Sequence, residues 1–98
     1  MLFERVKLVW RDTWPEDGPR DDYVAIDNGV TVARVLYAPG APHNPERWVW
    51  SGFWFVRRDN GTDWAPRGYC RSRREAMQTV EEAYNNWRAV REINERRK

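Results

Sequence analysis

Few side chains of this sequence could carry out covalent or metal chemistry, and those few are isolated. His43 is the only histidine and Cys70 the only cysteine. A hydrolytic nucleophile needs a base beside it, and His43 lies in the proline-rich loop, where an exposed imidazole is the ordinary expectation. One histidine and one cysteine cannot build a tetrahedral metal site alone. The sequence also lacks a phosphate-binding loop and a zinc-protease helix motif. We therefore expect a protein that is not an enzyme and that uses no metal or cofactor.

The surroundings of Cys70 allow two interpretations. Arg71, Arg73 and Arg74 follow it in the sequence, and nearby cations lower the pKa of a thiol and make it nucleophilic. The second interpretation, which we favour, is a small inert residue where the chain begins a helix. A lone cysteine also forms no internal disulfide, which is typical of proteins in the reducing cytoplasm.

A third stretch with chemical potential is DTWPEDGPRDD, residues 12–22, which holds five carboxylates and one arginine. Clustered carboxylates can bind a cation, but their spacing here does not match an EF-hand loop, and no glycine lies at the required bend. The stretch has neither a helical nor a strand period. We therefore predict a solvated acidic loop.

The elements that must position these residues follow from hydrophobic patterning. Residues 2–10 alternate and predict a first strand. Residues 23–26 and 30–37 predict a hairpin, because Asn28 and Gly29 between them suit a type I′ turn. Three prolines in the loop 38–46 prevent the sheet from continuing there.

The second half of the chain predicts an aromatic strand and a long helix. Residues 47–58 form the strand, and Pro66 limits the next segment to an irregular or edge position. Ser72 and Glu75 form a capping box, and apolar residues then recur at steps of three and four, which predicts one helix from Arg73 to about Arg97. The last turns, residues 92–98, are expected to project or fray.

This order of elements predicts the fold class. Strands first and a helix last favour an α+β domain, with a three- or four-stranded antiparallel sheet and one long C-terminal helix packed on one face. A chain of 98 residues has room for one such domain, residues 1–98. The pattern does not say which face of the sheet the helix covers.

Charge and hydropathy limit the kinds of partner. The net charge is +2, but residues 67–98 carry nine Lys or Arg against five Asp or Glu. A basic end can attract nucleic acid, although interleaved charges of this kind are most often a solvated helix surface. No stretch approaches the roughly 18 apolar residues of a membrane span. We therefore expect a cytoplasmic protein without a membrane contact.

Three stretches resemble a pattern found in small proteins of bacterial and phage genomes. They are DYVAIDNGVTVARVLY, RWVWSG and GYCRSRREAMQTVEEAYNNW, and they span roughly residues 22–88. The pattern joins a hairpin, a tryptophan-rich strand, and a glycine that leads into a capped helix. A weaker likeness, over residues 53–80, is to the β-β-β-α modules of the YegP type. The resemblance implies the same fold and a phage or mobile-element origin; it implies no activity and no functional residues.

The aromatic strand is the candidate interaction surface. It holds five large aromatics in residues 47–58, whereas one face of a strand is enough to contact a helix. With or without a bulge at Ser51 and Gly52, at least one tryptophan is expected on the face away from the core. That ring is exposed unless the first strand, the acidic loop or the segment around Trp64 folds over it. The candidate partner surface is Trp48, Trp50 and Trp54, flanked by Arg47, Arg57 and Arg58.

Two kinds of partner suit such a surface. Another protein, or a second copy of this chain, would bury aromatic anchors with arginines at the rim. Single-stranded nucleic acid would stack bases on the rings while the arginines neutralise phosphates. The acidic loop and the lack of an RNA-recognition sheet motif favour the protein partner. The sequence thus predicts a small binding or regulatory module without a small-molecule substrate, and nucleic-acid binding is the alternative.

Overall fold

The computed structural model describes residues 4–17, 20–39 and 45–96. Across these residues, five strands form one antiparallel sheet in the order β1-β2-β3-β4-β7, and β5 and β6 form a separate ribbon. The predicted α+β fold with one long C-terminal helix against the sheet is confirmed, and the sheet has five strands rather than three or four. The elements are β1 (Val9–Asp12), β2 (Asp22–Asp27), β3 (Val30–Tyr37), β4 (Trp48–Gly52), β5 (Val56–Arg57), β6 (Asp63–Trp64), β7 (Arg67–Cys70) and α1 (Arg73–Arg96).

The acidic loop is shorter than the sequence suggested, whereas the proline-rich connection is one residue longer, because β3 ends at Tyr37 and β4 begins at Trp48. Asp12 ends β1 and Asp22 begins β2, so both ends of the acidic loop pair in the sheet, and a 3-10 turn at Pro15–Asp17 lies between them. The proline-rich loop is closed by a hydrogen bond of 2.7 Å from the Ala38 amide to the Arg47 carbonyl. Residues 1–3, 18–19, 40–44 and 97–98 lie outside the described part of the chain.

The turn of the β2–β3 hairpin has the predicted chemistry. Asn28 and Gly29 have φ angles of 50° and 81°, and a type I′ turn requires positive φ at both central positions. The β5–β6 ribbon turns differently. Gly61 has a φ of 83°, and the Arg58 amide donates to the Thr62 carbonyl at 2.7 Å across a three-residue loop. Each Asn-Gly pair thus joins two neighbouring strands.

Helix α1 begins at the predicted capping box. The Ser72 hydroxyl accepts a hydrogen bond from the Glu75 amide at 3.1 Å, and the Glu75 carboxylate accepts one from the Arg71 amide at 3.4 Å. These bonds satisfy amides that the first helical turn leaves unpaired. The helix is continuous to Arg96, so residues 92–96 are helical; the expectation that these last turns project or fray stays a prediction. The core side of the helix consists of Ala76, Val80 and Tyr84, with Met77, Ala83 and Trp87 partly buried beside them.

The two faces of the sheet differ because α1 packs against one of them. The face under the helix carries two rows of cross-strand partners: Trp10, Ala25, Ala33 and Gly52, and then Tyr23, Val35, Trp50 and Gly68. The opposite face, which we call the open face, has no helix against it in the described part of the chain. Its apolar side chains are half-buried or exposed, among them Val24, Leu36 and Val49.

Candidate functional site

The structure places the three tryptophans of the candidate surface on the helix side of the sheet. Trp50 and Trp54 are buried, with 8% and 5% of their surfaces exposed. Trp48 packs against the core and contacts Tyr37, with ring centroids 5.4 Å apart. The expectation that one of these rings lies on the open face is therefore wrong. Strand β4 runs to Gly52 without a bulge. Because side chains alternate between the two faces of a strand, Trp48 and Trp50 both lie on the helix side.

Trp54 belongs to a cluster of rings with helix α1. Its centroid is 5.4 Å from that of Tyr84 and 6.0 Å from that of Trp87. The Tyr84 hydroxyl donates to Asp27 Oδ2 at 2.6 Å, and Trp87 Nε1 donates to the Phe55 carbonyl at 3.2 Å. Burial, followed by the hydrogen bond to the Asp27 carboxylate, raises the pKa of Tyr84 to about 12. The cluster holds the hairpin and the β4–β5 connection against the helix.

The three arginines named with these tryptophans do not form one group. Arg47 immediately precedes β4, whereas Arg57 and Arg58 follow its other end, at the ribbon. The guanidinium carbon of Arg58 lies 5.1 Å from the centroid of the Trp64 ring. Arg57 Nε lies 3.9 Å from Asp63 Oδ1, and both side chains are more than half exposed. Two of the three arginines therefore border the same region, and Arg47 does not.

The exposed apolar surface lies beside the aromatic strand, between β5 and helix α1. Phe55 and Val90 line a cleft there together with Trp87, and they are 68% and 58% exposed. Ile93, one turn further along the helix, is also more than half exposed. The adjoining apolar groove, with a volume of about 270 Å³, is lined by Trp54, Val56, Pro66, Ala83, Asn86, Trp87 and Val90.

Sequence reasoning missed Phe55, Val90 and Ile93 as surface residues. Val90 continues the apolar stripe of α1, and Phe55 lies within the predicted continuous strand 47–58, so the sequence pattern does not mark either residue as exposed. The signal was the length of the helix: its 24 residues extend about 36 Å at 1.5 Å per residue. Apolar residues in its last turns therefore have little sheet to cover them.

Charged side chains surround this apolar surface. The guanidinium carbon of Arg91 lies 5.2 Å from the centroid of the Trp87 ring, and Arg91 Nε lies 3.3 Å from Glu95 Oε1. Arg57 and Asn94 line the same cleft. An apolar centre with a rim of both charge signs is the usual anatomy of a protein–protein interface.

The residues with catalytic potential are arranged differently. Cys70 is buried, and its sulfur lies 3.8 Å from the Thr79 hydroxyl. Burial raises the pKa of the Cys70 thiol, so the arginines that follow it do not create a reactive thiolate. His43 lies outside the described residues. Among the described residues, no group of three or more His, Cys, Asp or Glu side chains is arranged to hold a metal ion.

Comparisons of this chain with protein-family models, curated proteins and solved structures find no match. The resemblance to bacterial and phage proteins therefore stays a prediction. Within the described ranges, no helix combines the length and the apolar character needed to cross a membrane.

Proposed function

We propose that this protein is a small non-enzymatic binding module that recognises another protein through the apolar groove and its rim. The observation that carries the proposal is the exposure of Phe55 and Val90, each more than half exposed, beside a groove of about 270 Å³: Val90 lines this groove and, together with Phe55, the adjoining cleft, and the exposed Ile93 follows one turn later on α1. Soluble monomers rarely expose a contiguous apolar patch without a partner for it. When a partner covers this patch, the free energy of binding gains roughly 25 cal/mol for each Å² of apolar surface removed from water.

The rigidity of the groove supports this proposal. Its helix wall is part of the sheet-packed helix, and its other wall is tied to that helix by the hydrogen bond of 3.2 Å from Trp87 Nε1 to the Phe55 carbonyl. Pro66, which is buried, also lines the groove. A preformed groove loses little conformational entropy on binding, so more of the apolar burial appears as affinity.

The lining of the groove indicates the kind of partner. A site for a small ligand usually carries several polar groups that fix the orientation of the ligand, whereas Asn86 is the only hydrogen-bonding side chain besides two indole rings in the lining of this groove. It has room for one large side chain that a partner inserts as an anchor, which is how interface hot spots are usually built. The partner is another protein or a second copy of this chain.

The alternative of base stacking on the tryptophans is less well supported. Stacking needs an accessible ring face, and Trp50 and Trp54 are buried. The guanidinium groups of Arg58 and Arg91 lie close to the rings of Trp64 and Trp87. A protein partner that contacts Phe55 and the aliphatic side chains of this surface does not need an accessible tryptophan ring face.

Two matched valines test the proposal. Val90 lies at the groove and Val9 on the open face, with 58% and 54% of their surfaces exposed. We expect Val90→Asp to abolish capture of the partner from host extract, or to dissociate a dimer seen by light scattering, while Val9→Asp does neither. Capture should also persist at high salt, because apolar burial is not screened. If the two variants capture the same proteins in the same amounts, the groove is not the binding site.

A further inference from the structure

The open face of the sheet carries a row of arginines. The strand register aligns Arg11, Val24, Arg34, Ser51 and Arg67 as cross-strand partners over all five strands of the sheet. Arg11 and Arg67 are exposed, and the Arg34 side chain is 38% exposed. Because neighbouring strands lie about 4.8 Å apart, the backbones of successive arginines are roughly 10 Å apart.

Apolar side chains lie on both sides of this arginine row. On one side the register aligns Leu36, Val49 and Tyr69, and on the other it aligns Val9 and Ile26. Tyr69 and Val9 are each more than half exposed. Positive charge therefore alternates with apolar surface along the strands of the open face, and Tyr69 adds an aromatic ring to it.

The positive charge of the arginine row is only partly neutralised. Asp22 is the cross-strand partner of Leu36. Among the arginine row, the two apolar rows and their cross-strand partners, it is the only residue with a carboxylate. It is buried, accepts from Arg34 Nε at 2.9 Å and from the Thr13 hydroxyl at 2.7 Å, and forms a close ion pair with Arg34 Nη2. These contacts fix the guanidinium and leave Arg34 Nη1 for another acceptor. Within the described part of the chain, no carboxylate forms an ion pair with Arg11 or Arg67.

We propose that the open face binds single-stranded nucleic acid, with the phosphates on Arg11, Arg34 and Arg67 and the bases against Tyr69 and the apolar rows. Phosphates beside flat bases match the alternation of charge and apolar surface, and the exposed ring of Tyr69 offers a face on which a base can stack. A duplex keeps its bases stacked inside, and its major groove admits a helix or a two-stranded ribbon rather than a flat five-stranded face. This site is separate from the apolar groove, so each proposal can fail without the other.

Fluorescence anisotropy with a labelled 12-nucleotide single strand tests the proposal. Each neutralised phosphate contributes a slope of about −0.7 to the plot of log affinity against log salt, so the two arginines without an ion pair, Arg11 and Arg67, should give a slope of about −1.4. Arg67→Ser should flatten that slope by about 0.7, and Arg67→Lys should preserve it. Arg74→Ser is the control, because Arg74 is an exposed helix arginine and the charge change is the same.

The ring of Tyr69 provides a second test, because a purely electrostatic interaction would give an affinity that does not depend on this ring. Tyr69→Ser should weaken single-strand binding roughly fivefold or more, whereas Tyr69→Phe should keep it, because stacking uses the ring. Phe55→Ser, at the apolar groove, should leave nucleic-acid affinity unchanged. No measurable binding at 50 mM salt, equal losses in Arg67→Ser and Arg74→Ser, or equal affinity for duplex would each overturn the proposal. Binding of heparin with no dependence on Tyr69 would overturn it in favour of an acidic partner.

Discussion

The Asn85 side chain pairs with the backbone of Val6 through two hydrogen bonds, as a neighbouring strand would. Its Oδ1 accepts from the Val6 amide at 2.7 Å, and its Nδ2 donates to the Val6 carbonyl at 2.9 Å. Nδ2 also donates to the Glu81 carbonyl at 2.8 Å. Asn85 is 1% exposed, so all of its polar atoms are satisfied inside the protein. One buried amide thus attaches the segment before β1 to helix α1.

Replacing Asn85 by aspartate should destabilise the fold strongly. A carboxylate cannot donate to the carbonyls of Val6 and Glu81, and it adds a charge at a buried position. We expect a loss of at least about 2 kcal/mol in the free energy of unfolding, measured by urea denaturation. The matched control is Asn86→Asp at the exposed neighbouring position, which should stay within about 0.5 kcal/mol of the wild type. Equal stability of the two variants would show that the Val6 contact contributes little.

The Trp50 ring lies directly over Gly68, its partner on β7. A Cβ atom at Gly68 would lie 2.6 Å from Trp50 Nε1, and the buried ring has little room to move. Gly68→Ala should therefore cost about 1–3 kcal/mol in stability through overpacking. The smaller ring of Trp50→Phe should relieve the clash, so the double variant should be more stable than the two single losses predict. Strictly additive losses would contradict this packing.

Tyr84 should make the stability of the protein depend on pH in the alkaline range. Its pKa is raised from 10.0 in the unfolded chain to about 12 in the folded protein, so the folded state favours the neutral phenol. The stabilisation is fully present below pH 10 and is lost as the pH rises from 10 to 12. Urea midpoints measured across that range should fall less steeply for Tyr84→Phe than for the wild type. Tyr69→Phe is the exposed control, and an identical pH profile for Tyr84→Phe and the wild type would contradict the account.

The elements that the sequence predicted well are those set by local chemistry. The positive φ angles at Asn28 and Gly29 and the cap between Ser72 and Glu75 depend on residues within a few positions of one another. Strand β7 was harder to predict, because its four residues, RGYC, have no clear alternation of their own. It is stabilised by pairing with β4 along Trp48–Gly52, which local sequence does not encode.

The candidate surface was predicted less well for a different reason. Alternation correctly groups Trp48 with Trp50, but it does not say which face the helix covers. At least one tryptophan was therefore expected on the face away from the helix, whereas Trp48, Trp50 and Trp54 all pack on the face under α1. Val90 lies two turns after the half-buried Ala83 on nearly the same side of the helix, and it is further from the sheet. Burial of that kind depends on how far the other elements reach, and periodicity does not contain this information.

The most direct test of the central claim is photo-crosslinking from the rim of the groove. A photoreactive phenylalanine analogue at position 55, inside the host cell, should form one discrete adduct with a protein, either another chain or a second copy of this one. The same analogue at position 69, on the open face and similarly exposed, should not form that adduct. Val90→Asp should remove the adduct from position 55. No protein adduct at position 55, or the same adducts from both positions, would contradict recognition through the groove.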